Sequence, residues 1–154
     1  GRVVLTVNTT YRAVPWADVL YAMDFDWWQM YGEDVRTKFN GARYSTCEPP
    51  RGLGVQRLPI THYGNSGAAA ISMAAQGGVE RIVLLGYDCQ RTGGKAHWHG
   101  DHPSKLGNAA RMNDWADGFR QLAQDHKSIT IVNASRDTAL DCFKRVDLQT
   151  ALGV

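Results

Sequence analysis

Apolar and polar positions along this chain fall into short blocks whose periodicity keeps changing. Residues 3–7 (VVLTV) are apolar and β-branched, which predicts a short buried strand ending at the polar turn Asn8-Thr9-Thr10. Pro15-Trp16-Ala17-Asp18 interrupts, and residues 19–23 (VLYAM) predict a second strand ending at Asp24. Residues 26–31 read as an aromatic-rich helical turn. Residues 32–62 mix Gly, Pro and charge without a period, and 44–47 and 55–58 within them read as edge strands or loop.

The second half is more regular. Residues 68–75 (AAAISMAA) predict a helix of small residues, with Asn65 or Ser66 as its N-cap and Gly77-Gly78 as its stop. Residues 81–86 (RIVLLG) form an unbroken apolar run ending at Tyr87-Asp88, the pattern of a parallel strand covered on both faces. A polar loop is expected over 89–106. An amphipathic helix is expected over 108–124, carrying Met112, Trp115, Phe119 and Leu122 at helical spacing. Residues 128–132 predict another strand, and Asn133-Ala134-Ser135 leads into a last helical segment over 138–145. The order β, β, irregular, α, β, loop, α, β, α implies a Rossmann-like three-layer α/β fold with a mainly parallel sheet.

Composition narrows the function classes. A length of 154 residues suits a single domain with its own core, and 44% hydrophobic with 21% charged residues leaves no room for a long disordered tail. The net charge of +2 is too small to indicate nucleic acid as partner. No apolar run reaches the ~18 residues of a membrane span, and the first residues do not read as a signal peptide. Cys47, Cys89 and Cys142 are odd in number and lack C-x-x-C spacing, so reduced thiols and a cytoplasmic location are expected. Trp16, Trp27 and Trp28 read as a cluster serving core packing, with a stacking platform as the alternative.

One stretch spells a metal motif. In KAHWHGDHPS, His97, His99, Asp101 and His102 match H-x-H-x-D-H, the zinc-ligand signature of metallo-β-lactamase-type hydrolases. That chemistry needs the motif directly after a strand and further ligands well downstream. Here the preceding strand stops near Gly86, and downstream only His126 remains. The letters fit zinc while the context does not, so no metal ligand is assigned and a zinc-dependent hydrolase stays as an alternative.

The block YGNSGAAAISMAAQGGVERIVLLGYD, residues 63–88, resembles the small-residue helix and following strand of bacterial sialyltransferases. It is equally similar to the MptE-like group, which includes 6-hydroxymethylpterin diphosphokinases and flagellin-modification proteins. The Gly94-Lys95-Ala96-His97 stretch matches that group's downstream G-K-x-H. VVLTVNTTYRAVPWADVLYAMD resembles the second strand unit of both groups, and ITIVNASRDTALDCF their C-terminal strand and turn. Together these cover about two-thirds of the chain. Both groups begin with an earlier strand and a G-x-G-P-S-L-type loop that touches phosphates. This sequence starts at what corresponds to their second strand, as expected of a fragment or of a shortened relative of phage type.

The resemblance implies a transferase using a nucleotide-activated donor, by glycosyl or pyrophosphoryl transfer, or a nucleotide-binding module that has lost turnover. The expected partner is a nucleotide or sugar nucleotide; the acceptor is not indicated. Ligands in open α/β sheets bind beyond the carboxyl ends of strands. Asn8, Asp24, Tyr87, Asp88 and the turn at Asn133 all stand at predicted strand ends and are therefore expected at one edge. Asn65, Ser66 and Gly67 open a helix whose free N–H groups favour a phosphate. The sialyltransferases keep a histidine general base between the G-x-D strand and the next helix, which implies His99 or His102 here. In the diphosphokinase form of the reading, Asp24 and Asp88 would hold Mg2+.

Overall fold

Among the described residues every strand pairing is parallel, in line with the mainly parallel sheet expected from the element order. The computed structural model describes residues 1–90 and 112–154. The chain separates into two compact units, Gly1–Met73 and Ala74–Val154, with the division falling inside a helix.

In the first unit, β1 (Leu5–Val7), β2 (Val19–Tyr21), β3 (Ala42–Ser45) and β4 (Gln56–Arg57) form a parallel sheet in the order β1-β2-β3-β4. Helix α1 (Phe25–Lys38) joins β2 to β3, and a 3-10 helix over Asn8–Arg12 follows β1. Helix α2 (Ser66–Gln76) follows β4. Register puts Leu5 beside Val19, and Tyr21 between Val7 and Tyr44. This row meets Ala69, Ala70 and Met73 of α2, together with Ile60. The alanines explain the contact, because short side chains let a helix lie close to a sheet carrying large ones. On the other face, Thr6 and Leu20 are buried, and the β2–α1–β3 crossover brings in Trp27, Trp28 and Val35, also buried. Trp28 satisfies its indole N–H on the Ala22 carbonyl at 3.0 Å.

Helix α1 is far longer than the turn expected over 26–31. Its buried positions, Trp27, Trp28, Gly32 and Val35, are interleaved with charge, and Gly32 belongs to the inward face because a Cβ there would meet Leu53. Trp16 departs from the expected cluster: it is 69% exposed, whereas Trp27 and Trp28 are buried against each other with ring centroids 5.0 Å apart. The segment 44–47 contains part of an interior strand, and 55–58 contains the edge strand β4.

In the second unit, β5 (Arg81–Leu84), β6 (Thr130–Asn133) and β7 (Lys144–Arg145) form a separate parallel sheet in the order β5-β6-β7. Helix α3 (Met112–Asp125) precedes β6, and α4 (Leu148–Leu152) follows β7. The α/β class with parallel strands is thus as expected, but the strands are divided between two sheets. The helix expected over 138–145 is absent. Thr138 uses its hydroxyl to donate to the Tyr87 carbonyl at 2.7 Å and to accept from the Leu140 N–H at 3.1 Å, while the Ala139 N–H donates to the Asp88 carbonyl at 2.8 Å. With these groups engaged, the segment runs as a loop into β7. Among the described residues no helix is long and apolar enough to cross a membrane. All three cysteines are half-buried.

Candidate functional site

Among the described residues, the buried side-chain polar atoms without a hydrogen-bond partner belong to the first unit, several of them near the carboxyl ends of its sheet. Asn8 ends β1 and takes φ of 51°, a left-handed conformation that Asn tolerates better than most residues. Its Oδ1 is inaccessible to solvent and has no hydrogen-bond partner. The hydroxyl of neighbouring Thr9 and the indole N–H of Trp27, in the first turn of α1, share that condition. Tyr11 in the same 3-10 helix contacts the Trp27 ring edge-on at 6.2 Å, which ties this segment to α1.

Asp24 follows β2 and is the N-cap of α1, but its carboxylate makes no capping bond. It faces solvent on one side, while the protein packed behind it raises its pKa above the ordinary carboxylate value. Asp26 adds to the rise and the imidazole of His62 opposes it. The Tyr21 hydroxyl beneath this edge shares a 2.5 Å hydrogen bond with the Thr46 hydroxyl. Burial is the main cause of its pKa being pushed up to about 12; the hydrogen bond to Thr46 opposes the shift, while Asp24 and Cys47 add to it.

The third component is the start of α2. Asn65 is its N-cap as the sequence predicted: Oδ1 accepts from the Ala68 N–H at 2.7 Å. The Nδ2 of the same side chain is buried and has no partner. Ser66 and Gly67 form the first turn and are half-buried. The turn leading in holds Tyr63 and Gly64 at φ of 47° and 80°. The Asn65 N–H donates to the His62 carbonyl at 3.0 Å, and the Gly64 N–H donates to His62 Nδ1 at 3.1 Å. At the other end of α2, Gly78 takes φ of 77°, which the Gly-Gly stop anticipated.

No family model, curated protein or solved structure matches the chain.

The carboxyl ends of the second sheet are arranged differently. Asn133, fully buried at the end of β6, donates from Nδ2 to the Tyr87 carbonyl at 3.0 Å and to the Thr138 hydroxyl at 3.1 Å, and its Oδ1 accepts from the Ser135 N–H at 3.0 Å. The Tyr87 N–H donates to the Ser135 hydroxyl at 2.8 Å. The Tyr87 ring meets Phe119 edge-on at 5.9 Å, and burial pushes its hydroxyl pKa well above the ordinary tyrosine value. Asp88 follows, half-buried.

Of the candidates, then, Asn8, Asp24, Asn65, Ser66 and Gly67 belong to the first unit, and Tyr87 and Asp88 to the second. They do not end strands of one sheet. His99 and His102 lie outside the described residues, as do His97, Asp101 and most of the expected 89–106 loop. Among the described residues no three His, Cys, Asp or Glu side chains are grouped as metal ligands. His62, which the sequence reading did not single out, stands three residues before the N-cap of α2, where the turn that closes the cap begins.

Proposed function

We propose that the chain is a transferase that seats a nucleotide-activated donor at the carboxyl edge of the first sheet, against Asn8, Asp24, Asn65, Ser66 and Gly67. The carrying observation is that Asn8 Oδ1 and Asn65 Nδ2 are buried at this edge without partners. Such atoms cost about 1–3 kcal/mol each unless something outside the chain meets them. Water can fill that role until a ligand displaces it. The chemistry of the edge suits a nucleotide. A helix start with an amide donor favours phosphate, whereas Asn8 Oδ1 and the Asp24 carboxylate accept from sugar hydroxyls.

Transfer itself rests on the resemblance to sialyltransferases and MptE-like proteins. In that reading the loop histidines His99 and His102 supply the base that removes the acceptor's proton. Asp24 and Asp88 lie in separate units, so no step is derived through Mg2+.

Thermal-shift titration with nucleotides, sugar nucleotides, Mg2+ and Zn2+, followed by an assay for nucleotide release, tests this reading. We expect stabilisation by nucleotides, weaker binding in Ser66→Ala, and release of the nucleotide that depends on His99 or His102. Binding without turnover of any donor would replace the transferase by a binding module. Stabilisation by zinc alone, with hydrolysis, would contradict both.

A further inference from the structure

We propose that Cys89 and Cys142 are a redox pair, closing into a disulfide by exchange with a small-molecule disulfide and so fastening the 134–143 loop to the end of β5. The inference stands apart from the nucleotide reading: both residues belong to the second unit, away from the groups on which that reading rests.

Cys89 comes two residues after Tyr87, beyond the end of β5, and Cys142 lies in the loop between β6 and β7. Hydrogen bonds tie these two segments together. The Tyr87 carbonyl accepts from the Thr138 hydroxyl at 2.7 Å. The Asp88 carbonyl, part of the peptide that enters Cys89, accepts from the Ala139 N–H at 2.8 Å. A second tie runs through aromatic rings. Phe143, next to Cys142, meets Phe119 edge-on at 6.2 Å, and Phe119 meets Tyr87 edge-on at 5.9 Å. Leu140 and Phe143 are buried on either side of Cys142, so this thiol sits on a stretch anchored at both ends. Cys89 takes φ of 48°, a left-handed conformation that a residue with a side chain rarely adopts. Both thiols are half-buried. The charge of Cys89 is felt at Cys142, where it adds to a pKa raised first of all by burial.

Cys142 is the thiol that an external disulfide reaches first. It lines a groove together with Arg120, Ala123, Gln124 and Lys127. Arg120 donates to both carboxylate oxygens of Asp141, the neighbour of Cys142, at 3.3 and 3.2 Å. Its positive charge favours the Cys142 thiolate, the form that attacks. Arg120 and Lys127 also suit a disulfide that carries carboxylates, the class of oxidised glutathione.

The exchange needs no other reactant. The Cys142 thiolate attacks one sulfur of the external disulfide, a mixed disulfide forms, and one small thiolate leaves and is protonated. The Cys89 thiolate then attacks the Cys142 sulfur, forming the internal S–S bond and expelling the second small thiol. The two cysteines lose two electrons and two protons, and the external disulfide gains them. Burial, then Asp88, hold the Cys89 pKa above its ordinary value. Thiols of raised pKa are poor leaving groups, so the bond, once closed, is slow to reopen.

The test incubates the folded protein with oxidised glutathione, blocks the remaining thiols by alkylation and maps the peptides by mass spectrometry. Wild type should keep one alkylated cysteine, Cys47, carry no glutathione and yield a Cys89–Cys142 peptide. Its melting temperature should rise by about 5 °C or more and fall back with dithiothreitol. Cys47→Ser should behave in the same way. Cys89→Ser should stop at a mixed disulfide on Cys142, because the second thiol is gone. A link through Cys47, a link between two chains, glutathione that stays on Cys142 of wild type, or no reaction at all would overturn the pair. So would a Cys89–Cys142 link that forms only in denaturant. A link that leaves the melting temperature unchanged would overturn the fastening of the loop. The wild-type map decides the pairing even where a variant does not fold.

Discussion

Two strand edges in this chain carry similar polar residues and treat them in opposite ways. At the edge of the second sheet, Asn133, Ser135 and Thr138 spend their hydrogen-bonding capacity on the backbone of Tyr87 and on one another. At the edge of the first, Asn8 Oδ1, Thr9 Oγ1 and Asn65 Nδ2 are buried and meet nothing. Among the described residues, every such unpartnered buried side-chain atom lies in the first unit. A closed network fixes a loop, whereas the unfilled groups near the strand ends are what the proposed nucleotide reading rests on; Thr6 Oγ1 and Arg43 Nε, within strands, are unpartnered too. An asparagine at a strand end is therefore not a functional signal until its partners have been counted.

The contrast can be broken most forcefully at Asn133. Asn133→Ala strands the Ser135 N–H and opens a cavity, so it should cost about 3 kcal/mol, read from urea unfolding. Thr138→Val removes one donor to Tyr87 and the acceptor for Leu140, and about 1–2 kcal/mol should be lost in the same assay. A cost under half a unit at both positions would mean that the network is not structural.

Asp34, on α1, offers a test through its charged partners. Lys38 first, then Tyr11 and Arg12, hold its carboxyl well below the usual carboxylate range. A folded pKa below the unfolded one contributes stability above the unfolded value of about 4 that is lost as pH falls through the folded value. Asp34→Asn should therefore cost about 1 kcal/mol at pH 7, after allowing for partners that are half-exposed or more, and should shrink that loss on acidification.

At the open edge the signs differ. Asn65→Ser keeps a cap for α2, so stability should change by less than about 0.5 kcal/mol while the Nδ2 donor disappears. Asp24→Asn should be neutral or stabilising by a few tenths of a kcal/mol at pH 7, because a carboxyl with a raised folded pKa opposes folding once ionised. The benefit should fade as pH drops into the range where aspartate itself protonates. A clear loss of stability in either variant would move that residue from the ligand site to the scaffold.

How far the sequence revealed this depends on how local each signal is. The cap and stop of α2 and the run of β5 lie in adjacent residues and were legible. Helix α1 was legible only in its first turns, because Gly32 serves as a packing position and charge interrupts the apolar stripe. The helix expected over 138–145 failed because Thr138 and Asn133, far apart from Tyr87 in sequence, capture that segment. Division into two sheets is a matter of strand pairing, which periodicity does not encode. Asn8, Asp24 and Asn65 were singled out from their places at strand and helix ends, where the structure puts them. That their polar atoms lack partners is visible only in three dimensions.

The most direct measurement is calorimetric titration of one nucleoside 5′-monophosphate into wild type, Asn65→Ser and Thr138→Val, with the melting temperature of each variant recorded. The open-edge account predicts that Asn65→Ser melts like wild type and binds at least tenfold more weakly, whereas Thr138→Val melts lower and binds like wild type. Retained affinity in Asn65→Ser together with lost affinity in folded Thr138→Val would contradict it.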